Sequence, residues 1–134
     1  MAQTNSGDAP LNSEHDIVLA RQLVRRLTQQ LNFSLVDQTK MVTAASELAR
    51  NALVYGGGGV MKWEIFSNGA RNALKLTFAD EGPGIPDLDL ALTDGWTSGN
   101  GLGMGLTGAR RLVNEFDIDT RVGGGTRVAI TRWK

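Results

Sequence analysis

Apolar residues return every three or four positions after Ile17, at Ala20, Val24, Leu27 and Leu31, among mostly polar and charged neighbours. That spacing predicts an amphipathic helix over about 14–31. "SEHD" at Ser13–Asp16 places a hydroxyl three residues ahead of a carboxylate, which resembles a capping box at its start. A second stripe, Met41, Ala45, Leu48 and Ala52, predicts a helix over about 38–55, with Asp37 as its expected cap. Beside that stripe run Ala44, Glu47, Asn51 and Val54, and "GGGG" at Gly56–Gly59 ends the pattern. The period then falls to two. Val60–Ser67 and Ala73–Ala79 read as strands around a turn containing Asn68–Gly69. A Gly/Pro-punctuated stretch, "DEGPGIPD", follows at Asp80–Asp87, with a short helix expected over Asp87–Leu92. Beyond a glycine loop, a helix is expected from Leu106 to Glu115, and the C-terminal residues alternate as two strands joined by Gly123–Gly125.

Helices and strands segregated in this way predict an α+β fold. The expected architecture is a two-layer sandwich of a mixed or antiparallel sheet with helices on one face. The 134 residues suffice for a single domain with a real core. About the first eight to ten residues are expected to form a frayed tail, and they carry neither the basic start nor the apolar run of a signal peptide.

Fourteen basic residues balance fourteen acidic ones, so charge offers no reason to expect nucleic acid or an anionic membrane as partner. No apolar run approaches the ~20 residues of a membrane span. With no cysteine, disulfides, Cys-ligated zinc and thiol catalysis are excluded, and a cytoplasmic setting is expected. His15, the single histidine, stands at a helix start and is expected at the surface.

Glycine is the anomaly: 11 of the 17 lie between Gly82 and Gly125. "GNGLGMGLTG" at Gly99–Gly108 contains G-x-G-x-x-G, but no strand leads into it as a dinucleotide site requires. A Walker A loop is absent too, since no Gly-Lys-Ser/Thr occurs. Phosphate binding needs neither fold. Glycines let backbone N–H groups converge on an anion, and a helix N-terminus adds unpaired donors. A surface loop without ligand is the plain alternative.

Three further pieces carry chemistry. Glu47 and Asn51, four apart, share one helix face. An amide oxygen is a hard ligand suited to magnesium, and a carboxylate one turn away could take a proton from a hydroxyl. A solvated helix face is the alternative. Asp80 ends a predicted strand ahead of Gly82 and Gly84. As a carboxylate it accepts only, which suits the amino group of adenine and opposes the carbonyl of guanine. A simple Asp-Gly turn explains the same residues. "GGGT" at Gly123–Thr126 needs no role beyond a hairpin turn.

In this order the four pieces resemble the GHKL ATPases, the superfamily of gyrase, Hsp90, histidine kinases and MutL. Glu47 and Asn51 look like its N box, Asp80, Gly82 and Gly84 its G1 box, Gly101, Gly103 and Gly105 its G2 box, and Gly125-Thr126 its final element. Across "DIVLARQL", "SELARN", "DEGPGIPD" and "GLGMGLTGARRLVNEF" the chain is similar to the RsbT-type serine/threonine switch kinases of the bacterial stressosome, from Asp16 to Lys134.

The resemblance implies a Bergerat-type sandwich that binds ATP and magnesium. It implies transfer to serine or threonine of STAS-domain proteins, then activation of a released partner such as a PP2C-type phosphatase. Glu47 would be the catalytic base and Asn51 the magnesium ligand. Asp80 would hold adenine, with Gly82 and Gly84 against the base and Thr126 in support. Gly101, Leu102, Gly103, Met104 and Gly105 would close over the phosphates. An anti-sigma factor that sequesters a sigma factor shares all four boxes and is the alternative. A histidine kinase fragment is disfavoured, because no helix pair carries a phosphoaccepting histidine.

Overall fold

The computed structural model of the chain describes residues 2–85, 92 and 102–134, with backbone alone for 102–105. Its elements in chain order are β1 (Ala2–Leu11), α1 (Glu14–Gln30), α2 (Leu35–Val54), β2 (Gly59–Ser67), β3 (Asn72–Asp80), α3 (Leu102–Arg111), β4 (Glu115–Arg121) and β5 (Gly125–Trp133). The strands form one sheet ordered β1-β2-β3-β5-β4. Every neighbouring pair is antiparallel, which resolves the mixed-or-antiparallel expectation.

The helix ends follow local chemistry. At α1 the Ser13 hydroxyl accepts from Asp16 N–H at 3.1 Å, and the Asp16 carboxylate accepts from Asn12 N–H at 2.9 Å. The helix closes where Asn32 adopts φ 60°, Asn32 N–H bonding Gln29 O and Phe33 N–H bonding Thr28 O at 3.0 Å. That double closure is the Schellman arrangement, with asparagine in the left-handed position. At α2 the cap is Ser34 rather than the expected Asp37, and the helix starts three residues early. Ser34 Oγ accepts from Asp37 N–H at 3.1 Å, while the Asp37 carboxylate reaches away to Arg132 Nη2 at 2.6 Å. Arg132 also donates from Nη1 to Leu112 O at 2.9 Å, so one guanidinium joins β5, the start of α2 and the chain leaving α3.

The expected N-terminal tail is strand β1. Its residues pair with β2 from Ala2↔Ser67 to Leu11↔Gly59, with one register shift between Gln3 and Asn5. The reason lies in Leu11, fully buried, and Gly7, where an added Cβ would stand 2.7 Å from the Trp63 indole. A polar strand with one anchored end gives almost no hydrophobic signal, because most of its residues face water.

The helices cover one face of the sheet. Met61, Leu74, Leu76, Phe78, Val128 and Ile130 point into it and meet Ile17, Val24, Met41, Ala45, Leu48, Leu106 and Ala109. Each of these side chains larger than alanine stabilises the fold by roughly 1.5–3 kcal/mol through burial. On the other face stand Lys62, Lys75, Thr77 and Arg127, as expected where an antiparallel sheet meets water. Strand alternation carries Asp80 onto the helix face, two residues after Phe78. Cross-strand register then sets Gly59, Asp80, Thr126 and Thr120 in one row over four strands.

Leu11→Ala should lower stability by about 2–4 kcal/mol, the cost of an unfilled core site. Urea unfolding checks this; an unchanged midpoint would contradict the burial of Leu11.

Candidate active site

The row through Asp80 opens onto a cavity between α2, β3, β5 and the segment that follows β3. Leu48, Asn51, Ala52 and Tyr55 line it from α2, Phe78 and Asp80 from β3, and Thr126 and Val128 from β5. Pro83, Gly84, Ile85 and Leu106 complete the wall. An apolar slot with a few convergent polar groups suits a planar, partly polar ligand.

Asp80 is the centre of the polar part. Burial pushes its carboxyl above the usual carboxylate range, and backbone N–H donors from Gly82 and Thr126 oppose that rise. The Gly82 N–H lies 2.9 Å from Asp80 Oδ1. Three glycines let the chain close around it. A Cβ at Gly56 would collide with the Asp80 side chain, and one at Gly82 would stand 2.6 Å from Gly56 Cα. One at Gly125, whose φ is 88°, would collide with the Asp80 carbonyl.

The Asn51 amide nitrogen is buried without a hydrogen-bond partner among the described residues. A buried amide left open is costly, and its two ends have nearly the same shape. Turned about, the same side chain offers its oxygen to a cation. No cluster of three or more His, Asp or Glu among the described residues could hold a metal by itself. Magnesium commonly takes one or two protein groups and completes its shell with phosphate and water, so the single amide fits it.

The segment after β3 is stapled to the β4–β5 hairpin. Gly123 N–H donates to Pro83 O at 2.7 Å, and Ile85 N–H donates to Thr120 Oγ1 at 2.9 Å. Gly84, at φ 78°, lies against the Arg121 carbonyl with no room for a Cβ. The hairpin that needed no role as a turn is thus the mount for one wall of the cavity.

The structure brings Asn51, Asp80, Gly84 and Thr126 to one cavity, with Gly82 under the Asp80 carboxylate. Glu47 does not line it. It stands exposed one helical turn before Asn51. Leu102, Gly103, Met104 and Gly105 form the first turns of α3, four residues ahead of the expected helix start. Glycine disfavours a helix, but burial of Leu106 and Ala109 outweighs that preference. Gly101 lies outside the described residues, as does the helix expected over Asp87–Leu92 apart from Leu92 itself, which stands in a turn. Sequence reading missed Tyr55, Gly56 and Thr120. Alternation along Phe116, Ile118 and Thr120 was the available signal for the last.

Residues 36–134 match the family described as histidine kinase-, DNA gyrase B- and HSP90-like ATPases, and the chain belongs to that family. Within it, the chain is 42% identical over 121 residues to the serine/threonine-protein kinase RsbT of Bacillus subtilis strain 168, covering 90% of this chain and 91% of that one. It is 31% identical over 121 residues to an anti-sigma F factor of Geobacillus kaustophilus, covering 84% of this chain and 81% of that one. The fold matches a structure of RsbU and RsbW domains from Mycobacterium tuberculosis with TM-score 0.67 and 20% identity, over 96% of this chain and 32% of the other. It also matches the SiaB-SiaC complex of Pseudomonas aeruginosa with TM-score 0.57 and 13% identity, over 98% of this chain and 91% of the other. No helix among the described residues is long and apolar enough to cross a membrane.

Because burial raises the Asp80 pKa, the folded chain holds that proton more tightly than the unfolded chain. Stability contributed by the protonated group is complete below its unfolded pKa and is lost as pH rises toward the folded one. Asp80→Asn should therefore gain on wild type as pH rises from about 4 to neutrality. Urea midpoints of both proteins across that range check the sign; a variant that loses ground with rising pH would contradict it.

Proposed function

We propose that this chain is an ATP- and magnesium-dependent protein serine/threonine kinase. Its acceptors would be STAS-domain proteins of a stress-signalling complex. After release it would activate a downstream partner such as a PP2C-type phosphatase. The observation that carries this reading is the convergence of Asn51, Asp80, Gly84 and Thr126 on one cavity. The 42% identity to a protein named a serine/threonine kinase supports it over the anti-sigma reading, whose relative stands at 31%.

In this reading the slot between Phe78, Ile85 and Tyr55 takes the adenine ring, and the Asp80 carboxylate accepts from its amino group. The ring brings apolar area, while the carboxylate supplies discrimination. Asn51 would hold magnesium at the phosphate end of the site. Bound there, the metal would offset the charge of the phosphate oxygens. Backbone N–H groups at the start of α3 would offer donors to the same anion. Glu47 would orient or deprotonate the acceptor hydroxyl. Its exposure suits that role, because the hydroxyl arrives on another protein. Phosphoryl transfer depends chiefly on such placement and on charge neutralisation.

Incubation with labelled ATP, magnesium and STAS-domain proteins encoded beside this chain should give labelled acceptor; no label on any of them would refute the kinase reading. Glu47→Ala should keep ATP binding and lose ~10²–10⁴-fold in transfer rate, since it removes proton transfer alone. Asp80→Asn should weaken ATP binding ~10-fold or more, the scale of a hydrogen bond to a charged group. GTP should fail as donor, and equal rates with both nucleotides would show that the slot does not read adenine.

A further inference from the structure

Thr120 lies on β4 directly across from Thr126 on β5 and next but one to Asp80 in the same row. Its hydroxyl has three neighbours. Ile85 N–H donates to it at 2.9 Å, Gly125 O lies at 3.3 Å, and Thr126 Oγ1 lies at 2.9 Å. A hydroxyl has one proton and two lone pairs. Ile85 takes one lone pair. Gly125 O carries no proton, so that contact forms only if Thr120 donates to it. Thr120 is then left with one lone pair, and Thr126 must be the donor between the two hydroxyls. This single assignment satisfies all three contacts at once.

The assignment has a consequence for the cavity that Thr126 lines. With its proton committed to Thr120, Thr126 shows the ligand an oxygen that only accepts. Asp80 beside it also only accepts. We propose that Thr120 is a positioning residue for nucleotide choice: it holds Thr126 as an acceptor, so that the pocket selects a purine bearing an amino group and rejects one bearing a carbonyl there. The inference rests on the nucleotide reading above and adds a residue that touches no ligand.

Inosine triphosphate is the fitting probe, because it differs from ATP at this edge alone, with an oxo group in place of the amino group and a proton on N1. Calorimetry with ATP and with inosine triphosphate would be run on wild type, Thr120→Val, Thr120→Ser, Thr126→Val and the double valine variant. Wild type should prefer ATP. Thr120→Val frees the Thr126 proton to face the ligand, so the preference should narrow roughly tenfold, the scale of one hydrogen bond. Thr120→Ser should restore it. In the Thr126→Val background, Thr120→Val should change the preference no further, since the path through Thr126 is already gone. An unchanged ratio in Thr120→Val, or an equal loss in both backgrounds, overturns the proposal while leaving ATP binding in place. Wild type that binds neither nucleotide overturns the nucleotide reading itself. Melting curves accompany each variant; should Thr120→Val fail to fold, Thr120→Ala is read in its place against the same serine rescue.

Discussion

Everything at this site depends on holding one carboxylate half-buried at the end of a central strand. Asp80 falls on the helix face by the two-residue alternation of β3, so its charge points toward the apolar layer rather than into water. Burial works against that charge, and two backbone donors offset part of the cost. The glycines at 56, 82 and 125 exist in this arrangement to let backbone approach the aspartate from three sides. Any side chain at those positions would displace either the acid or the strand beside it. Burial thus sets the stability of the fold against an ionised carboxyl at Asp80.

Most of the architecture was legible from periodicity. Both long helices and all four strands after α2 fall within a few residues of their expected bounds, because each buries a regular stripe on one face. What escaped was structure set by long-range partners. β1 is polar along most of its length and is held by pairing to β2, which no local pattern announces. Ser34 displaced Asp37 as cap because the aspartate has a stronger partner, Arg132, 95 residues away. α3 begins inside the glycine motif because its later turns are buried, although glycine itself opposes a helix.

The site shows the same division. Asp80, Asn51, Gly84 and Thr126 could be named from local motifs, and the fold gathers them. Thr120 carried only the alternation of β4, since its part depends on register between two strands. Tyr55 and Gly56 read only as a helix end, yet one walls the cavity and the other makes room for the acid. Short motifs mark groups that line the cavity. The residues that aim those groups come from elsewhere in the chain.

Arg132 is a case where sign of charge is not enough. Its planar fork sends one nitrogen to the Asp37 carboxylate and another to the Leu112 carbonyl, joining the start of α2 and the residue that follows α3 from a single strand position. Lysine would carry the same charge as one movable point and could satisfy only one of those acceptors well. At this corner of the molecule, the exchange of one basic residue for another is a change of shape, and the two helices would lose their common fastening to the sheet.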